Sequence, residues 1–386
     1  MRFIGNKENL ISKIYDFMCE CGIVKCEGVK CKATKNEMMG SKNTEISEFK
    51  ECQRIFDMFS GSASAGRFFK AQGFEVFSCD LLYFSYCLQM AYLANNAEPS
   101  FSTLSAILGD TKSQNLFSSP YQKIIACLNS IAPQKGFIYR NYAPSGSKDL
   151  PQPRMYFSDE NAQKIDAIRT QIEVWKAQNA IKANEYFILL ATLLESTSFF
   201  ANVAGVYAAF CKVWDKRALK PFVLKPINLL EDTKPHQCFC EDALKVLQSQ
   251  DRAFDILYLD PPYNHRQYAP NYHLLETIAR YDSPKIKGVA GLRDWQGQKS
   301  NFCSKNSAPL ELEKIAKCEN YKNLVLSYNS EGIMSKEQID SILRTAGGAN
   351  ARLHFTQIDY PRFQSQAKGG AKSIKEFVWI LRKNLG

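Results

Sequence analysis

Apolar positions along this chain follow two spacings. Short continuous runs rich in β-branched and aromatic residues predict buried strands over 55–59, 74–79, 254–259 and 375–381, and a further one begins at Asn323 and ends in polar residues. Longer stretches of mixed apolar spacing predict helices over 10–18, 84–95, 120–131, 161–177 and 185–197, with shorter helix-like pieces over 67–72 and 244–248. The run Phe254-Asp255-Ile256-Leu257-Tyr258-Leu259 stops abruptly at Asp260-Pro261-Pro262-Tyr263-Asn264. Two prolines can neither continue a ladder nor enter a helix interior. A carboxylate and an aromatic ring are therefore held at the carboxyl end of a strand, where open α/β sheets place their chemistry.

A fixed carboxylate and the carbonyl ahead of a proline are both acceptors. Together they hold an exocyclic amino group and favour its pyramidal form, freeing the lone pair for attack on an electrophilic carbon. Tyr263 offers a face on which an extruded base can stack. Upstream, Ile55-Phe56-Asp57-Met58-Phe59-Ser60-Gly61-Ser62-Ala63-Ser64-Ala65-Gly66 reads as strand, small-residue turn and helix start. Such a turn lets a ligand approach backbone and helix N-terminus. The next strand ends at Asp80, and an acid about 20 residues after a glycine turn suits ribose hydroxyls. A nucleotide-type pocket is legible from these residues, with Asp57, Phe59, Gly61, Ser62 and Asp80 as candidate binding residues. Asp242 stands before the helix-like stretch 244–248, where it suits an N-cap.

Asp260-Pro-Pro-Tyr-Asn264 resembles the catalytic motif of amino-group DNA methyltransferases, and the continuation through Arg266, Tyr268 and Tyr272 is similar to a subset of adenine-specific modification enzymes. Phe3-Ile4-Gly5-Asn6-Lys7 resembles the amino-terminal motif of Dam-like adenine methyltransferases. The resemblance implies that Phe3, Gly5, Asn6 and Lys7 lie at the methionine end of S-adenosylmethionine (AdoMet), and that Asp242 bonds its adenine amino group. It implies Asp260, Pro261, Pro262 and Tyr263 as the catalytic residues, and Asn264, Arg266, Tyr268, Tyr328 and Asn329 as neighbours of the target base. Family versions of the glycine turn usually carry a second glycine where Ala63 stands. The motif order resembles the alpha arrangement, with target recognition between the cofactor half and the catalytic half.

The implied fold is α/β, an AdoMet-dependent methyltransferase (Rossmann-like) sheet that is mixed but mainly parallel, with helices on both faces and a mostly helical recognition region inserted. The expected organisation is 1–84 for the cofactor half, with a flexible insertion over about 22–50, 85–230 for recognition, and 231–386 for the catalytic half. The implied reaction is methyl transfer from AdoMet to the N6 amine of adenine in duplex DNA by base flipping. Cytosine N4 remains a chemical alternative, RNA methylation a further one, and a catalytically dead DNA-binding module a third class. A separate cognate endonuclease is implied as a restriction–modification partner.

Within 85–230, the segment 137–147 reads as a loop rich in Arg, Tyr, Asn and Ser, which bond or stack on nucleic acid. Arg140, Asn141, Tyr142 and Arg154 are the candidate DNA contacts there, and Arg293 is one in a second loop, 288–307. Asn202 and Tyr207 suit either DNA contact or tight packing. The formal charge of +10 suits a polyanionic partner. Over 351–386, seven basic residues stand against two acidic ones, which suits phosphate contacts. No apolar run reaches the roughly 18 residues of a membrane span, and the amino terminus lacks the pattern of a secretory signal. A cytoplasmic monomer is expected, with its 13 cysteines acting as buried small hydrophobes in a reducing compartment. Cys19, Cys21, Cys26 and Cys31 are clustered but lack paired Cys-x-x-Cys spacing, so no metal is expected.

Overall fold

The computed structural model describes residues 7–8, 10–25, 54–108, 119–361 and 373–383. Strands β1 (Arg54–Asp57), β2 (Glu75–Cys79), β3 (Gln237–Phe239), β4 (Phe254–Leu259), β5 (Tyr321–Asn329), β6 (Arg352–Pro361) and β7 (Ser373–Arg382) form one sheet. Their order is β3-β2-β1-β4-β5-β7-β6. β7 lies antiparallel between β5 and β6, and the remaining neighbours are parallel. From β1 the chain winds outward through β2 and β3, then returns to β1's other side as β4. The strand order therefore reverses between β1 and β4, and such a point opens a crevice at the carboxyl ends of the strands.

Alternation along the strands divides the core into two layers. Ile55, Val76, Ile256, Tyr258, Val325 and Val378 face one layer, and Phe56, Phe77, Leu257, Leu259, Leu326 and Trp379 the other. Helices Ile11–Glu20, Ser64–Ala71, Tyr83–Tyr92 and His273–Arg280 supply buried residues to the first layer. Ala243–Gln248, Ala308–Lys317 and Lys336–Gly347 supply the second. Both faces of β1 and β4 are covered, which is why they read as near-continuous apolar runs. The expected mixed, mainly parallel sheet with helices on both faces is the observed architecture.

The helices between β2 and β3 pack on the first layer, and their apolar residues belong to the same core cluster as the sheet. Two buried ionic groups tie them to the helix His273–Arg280 that follows β4. Glu276 accepts from the backbone N–H of Tyr83 and Phe84, at the start of a helix, where a carboxylate is favoured. Arg169 donates to the Ile278 and Ala279 carbonyls at 2.8 and 2.9 Å, at the end of the helix His273–Arg280.

One segment departs from its sequence reading. Phe137–Tyr142 is a helix, not a loop. Buried Asp166 accepts from the N–H groups of Ile138 and Tyr139 at 2.9 and 2.7 Å, satisfying the open donors of its first turn. That partner lies in another helix, out of reach of local pattern reading. The insertion over 22–50 falls mostly outside the described residues.

Candidate active site

The turn after β1 places Gly61 at φ 52° and Ala63 at φ 60°. Left-handed backbone is free to glycine but strained for alanine. Asp80, at the end of β2, fixes this turn from the neighbouring strand. Its carboxylate accepts from Gly61 N–H and Leu82 N–H, both at 2.9 Å. Burial pushes the Asp80 carboxyl up to about 6, opposed by these hydrogen bonds. Asp57 lies beneath the turn, fully buried, and its nearest donors are the N–H groups of Phe59 and Gly66, neither at full hydrogen-bond geometry. Burial, with Asp260 and Asp80 as like charges, raises Asp57 to about 8.

Asp260 stands one residue beyond β4, beside the β1 turn, its side chain 17% exposed. Lys7 Nζ sits 3.2 Å from Asp260 Oδ1 and 2.6 Å from Glu376 Oε1. Burial, reinforced by Glu376, raises the Asp260 carboxyl above the usual carboxylate range, and Lys7 opposes the rise. Lys7 itself is shifted well upward: burial works against its charge, but Asp260 and Glu376 outweigh it. The Lys7 ammonium is thus a partner of the Asp260 carboxylate, which the sequence reading did not foresee. Phe3, Gly5 and Asn6 of the same motif lie outside the described residues.

A cleft of about 1230 Å³, including its open mouth, joins these elements. Lys7, Phe59, Gly61, Ser62, Asp80, Asp242, Asp260, Pro262, Tyr263 and Tyr268 all line it, so most of the residues expected at the cofactor and catalysis converge. The small side chains of Ser60, Ser62, Ser64 and Ala65 at its wall leave backbone accessible. Asp80 and Asp242 add carboxylate acceptors at the same cleft. This donor and acceptor set fits a nucleoside bearing a cationic methionine arm. Asp242 is also the N-cap, accepting from Leu244 N–H and Lys245 N–H at 3.0 and 3.1 Å.

The strap 298–302 forms a wall that sequence reasoning identified only as part of a loop. Gln267 and Ser300 exchange two bonds: Gln267 Nε2 donates to Ser300 O at 3.0 Å, and Ser300 N–H donates to Gln267 Oε1 at 2.8 Å. Gln298 Nε2 donates to Glu276 Oε1 at 2.7 Å. Phe302 meets Phe59 edge to face at 5.2 Å. Gln267, Gln298 and Glu376 carried no local signal, because each is defined by a partner distant in sequence.

Several expected DNA contacts are internal braces instead. Tyr142 is fully buried and donates to Gly291 O at 2.8 Å. Arg154 is buried and donates to the Asn141, Gly288 and Val289 carbonyls. Arg293 is buried in a two-bond pair with Asp282 at 2.8 and 3.0 Å. Asn202 is saturated by Met155 O, Cys211 O and Asp215 N–H, and Tyr207 is buried beside it, which decides their open reading for packing. Tyr328 and Asn329 are buried and do not line the cleft. Tyr328 Oη accepts from Met334 N–H, and Asn329 Oδ1 from Glu331 N–H. Arg140 and Arg266 stay exposed; Asn141 and Asn264 are half-buried, and Asn264 Oδ1 accepts from Arg266 N–H. Pro261, between Asp260 and Pro262, is buried.

In the basic carboxyl-terminal segment, Lys383 donates to Cys318 O and Arg382 to Cys21 O, while Arg362, Lys368 and Lys372 lie outside the described residues. Cys26 and Cys31 lie there too. Cys19 is disulfide-bonded, contrary to the expectation of reduced cysteines, whereas Cys21, Cys79, Cys87 and six others are free. Among the described residues no group of His, Cys, Asp and Glu is arranged to hold a metal ion, and no helix is long and apolar enough to cross a membrane.

The family model described as D12 class N6 adenine-specific DNA methyltransferase matches residues 39–342. Modification methylase StsI of Streptococcus sanguinis is 34% identical over 383 residues, covering 99% of this chain and 52% of its own length. Type II methyltransferase M.FokI of Planomicrobium okeanokoites is 33% identical over 386 residues, covering 100% of this chain and 53% of its own. The chain thus spans about half the length of these two relatives. Type II methyltransferase M.NlaIII of Neisseria lactamica is 37% identical over 332 residues, covering 85% of this chain and 90% of its own. No solved structure matches. With the sheet, the glycine turn and the Asp-Pro-Pro-Tyr strand end meeting at one cleft, the chain belongs to the family of D12 class N6 adenine-specific DNA methyltransferases.

Proposed function

We propose that this chain transfers the methyl group of AdoMet to the exocyclic N6 amine of adenine in a specific duplex DNA sequence, as the modification component of a restriction–modification system. The observation that carries this reading is the meeting of Asp260-Pro261-Pro262-Tyr263 and the Gly61 turn in one cleft. It is supported by the family and by relatives named as modification methylases. The expected setting is the cytoplasm, with a monomer acting on one strand at a time and a cognate endonuclease acting separately.

In this reading Asp80 and Asp242 hold the nucleoside of AdoMet, and Ser62 and the Gly61 turn receive its methionine arm. When bound, AdoMet supplies an electrophilic methyl on a sulfonium centre. Asp260 accepts one N–H of the adenine amine and the Pro261 carbonyl the other. The amine nitrogen is thereby drawn out of conjugation and its lone pair directed into the cleft. Tyr263 stacks on the extruded base. The amine gains positive charge as it gains a fourth bond, and the Asp260 carboxylate is placed to stabilise that charge and receive a proton. Positioning therefore carries most of the catalysis.

The test is expression in a methylation-deficient bacterial host, followed by single-molecule sequencing of the genome, with Asp260→Ala as control. Methyladenine in one recurring motif, absent from the control, is the expected result. A folded wild-type protein that leaves no mark on DNA overturns the reading.

A further inference from the structure

We infer that Glu376 is a positioning residue for Asp260, acting through Lys7 to keep the amine-binding cluster net negative, an inference that rests on the adenine-methylation reading above. Glu376 lies on β7, two strands away from Asp260. In the β5–β7 register it pairs with Asn329, while Ser327 pairs with Val378. Glu376 and Ser327 are therefore diagonal neighbours on one face of the sheet. Ser327 Oγ donates to Glu376 Oε1 at 2.6 Å, and Lys7 Nζ donates to the same oxygen at 2.6 Å. Glu376 is 2% exposed and does not line the cleft, so it acts on the site only through what it touches.

Charge counting gives the reason for its presence. Lys7 alone beside Asp260 would make a neutral pair, with little attraction for an amine acquiring positive charge. A second buried carboxylate on the far side of the ammonium returns the cluster to a net charge of −1. It also takes the shorter of the two Lys7 contacts, leaving Asp260 at 3.2 Å and less fully engaged. A buried cation with one anionic partner would bind it tightly; shared between two, it orients Asp260 while leaving an acceptor for substrate. Other groups face this cluster. Asp57 comes from the end of β1 and Tyr258 from β4, and Tyr263 and Tyr268 follow Asp260 in the chain, with Glu331 as a further charge near Tyr263. Glu376 and Lys7 are the neighbours that most affect the charge of Asp260, with opposite sign, and burial has the largest effect.

The experiment uses the full chain and duplex DNA carrying the mapped site, and compares wild type, Glu376→Gln, Lys7→Met and the double variant between pH 5.5 and 9. Glutamine keeps an acceptor for Lys7 and Ser327 but removes the charge. We expect Glu376→Gln to lower plateau kcat about tenfold with KM for DNA and AdoMet within about twofold, which marks an interaction exerted in the transition state. Its acid limb should move down by about one pH unit, because a neighbouring anion has been removed. Lys7→Met leaves two carboxylates in one buried site, so adding Glu376→Gln should restore part of the lost activity. Melting of the cofactor-free protein gives a second readout: Glu376→Gln should flatten the fall in Tm between pH 5 and 8. An unmoved acid limb with full kcat, or losses from Lys7→Met and Glu376→Gln that simply add, overturns the inference. If Glu376→Gln folds only together with Lys7→Met, the comparison of Lys7→Met with the double variant decides. If wild type methylates nothing, the parent reading fails, and the melting series still tests the coupling of Glu376, Lys7 and Asp260.

Discussion

Replacing Arg154 with methionine separates two accounts of the same residue. As a DNA contact, it would donate to a phosphate. In the structure its guanidinium is turned inward: Nε donates to Val289 O at 2.9 Å, Nη2 to Gly288 O at 2.9 Å and Nη1 to Asn141 O at 3.0 Å. Tyr156 and Tyr142 donate to the next two carbonyls of that turn, Ala290 O and Gly291 O. Four consecutive carbonyls of an exposed turn are thus held by side chains from the inserted region. Methionine keeps the length and most of the apolar stem but removes every donor. A hydrogen bond from a charged group contributes about 1.5–3 kcal/mol. The Gly288 and Val289 carbonyls belong to a surface turn, with Val289 62% exposed, and they regain water when the guanidinium is lost. Most of the loss therefore comes from Asn141 O and the released turn, about 2–3 kcal/mol in all. At roughly 2 °C per kcal/mol for a chain this large, Tm should fall by about 5 °C. The DNA assay is the salt dependence of binding. A lost phosphate contact would reduce the slope of log K against log[salt] by about 0.9. The brace predicts an unchanged slope and a lowered Tm. An unchanged Tm with a reduced slope would refute it and return Arg154 to the DNA.

Other expected outcomes follow from the cleft. Ala63→Gly removes about 1 kcal/mol of left-handed strain, while losing a buried methyl of about 0.8 kcal/mol and adding unfolded-state freedom. Its Tm should therefore stay near wild type, whereas Ala65→Gly, in the following helix, should cost about 2 kcal/mol; equal losses in parallel melts would show that the φ of Ala63 carries no strain. Asp57 is raised to about 8 in the fold, so its contribution to stability is present below about pH 4 and is lost as pH rises through 8. Asp57→Asn should gain stability progressively relative to wild type from pH 5 to 8, by up to about 5 kcal/mol; parallel stability curves would show that Asp57 titrates normally. Asp80→Ala removes the acceptor of Gly61 N–H and Leu82 N–H, and should weaken AdoMet binding about tenfold or more in calorimetry; unchanged affinity would move the nucleoside contact elsewhere.

Local sequence determined the elements whose information is itself local. The run 254–259 was already a strand because both its faces are apolar, and Pro261 and Pro262 had to end it. The small-residue turn at Gly61 and Asp80 at the end of the next strand were readable because spacing along a strand–turn–strand unit fixes their places. Ala63 stood out as a residue lacking the freedom its backbone requires, and it does adopt φ 60°. Tertiary structure alone decided which polar side chains face the cleft and which face each other. Arg154, Tyr142 and Arg293 have the composition of a nucleic-acid surface, yet burial forces them to spend their donors on carbonyls and a carboxylate within the fold. Lys7, Asp260 and Glu376 sit hundreds of residues apart at their extremes. No periodicity joins them; they meet because β4 and β7 flank β5 and Lys7 reaches both carboxylates. A strand is specified by neighbours a few residues away. A charge cluster is specified by sheet order, which the chain acquires only by folding.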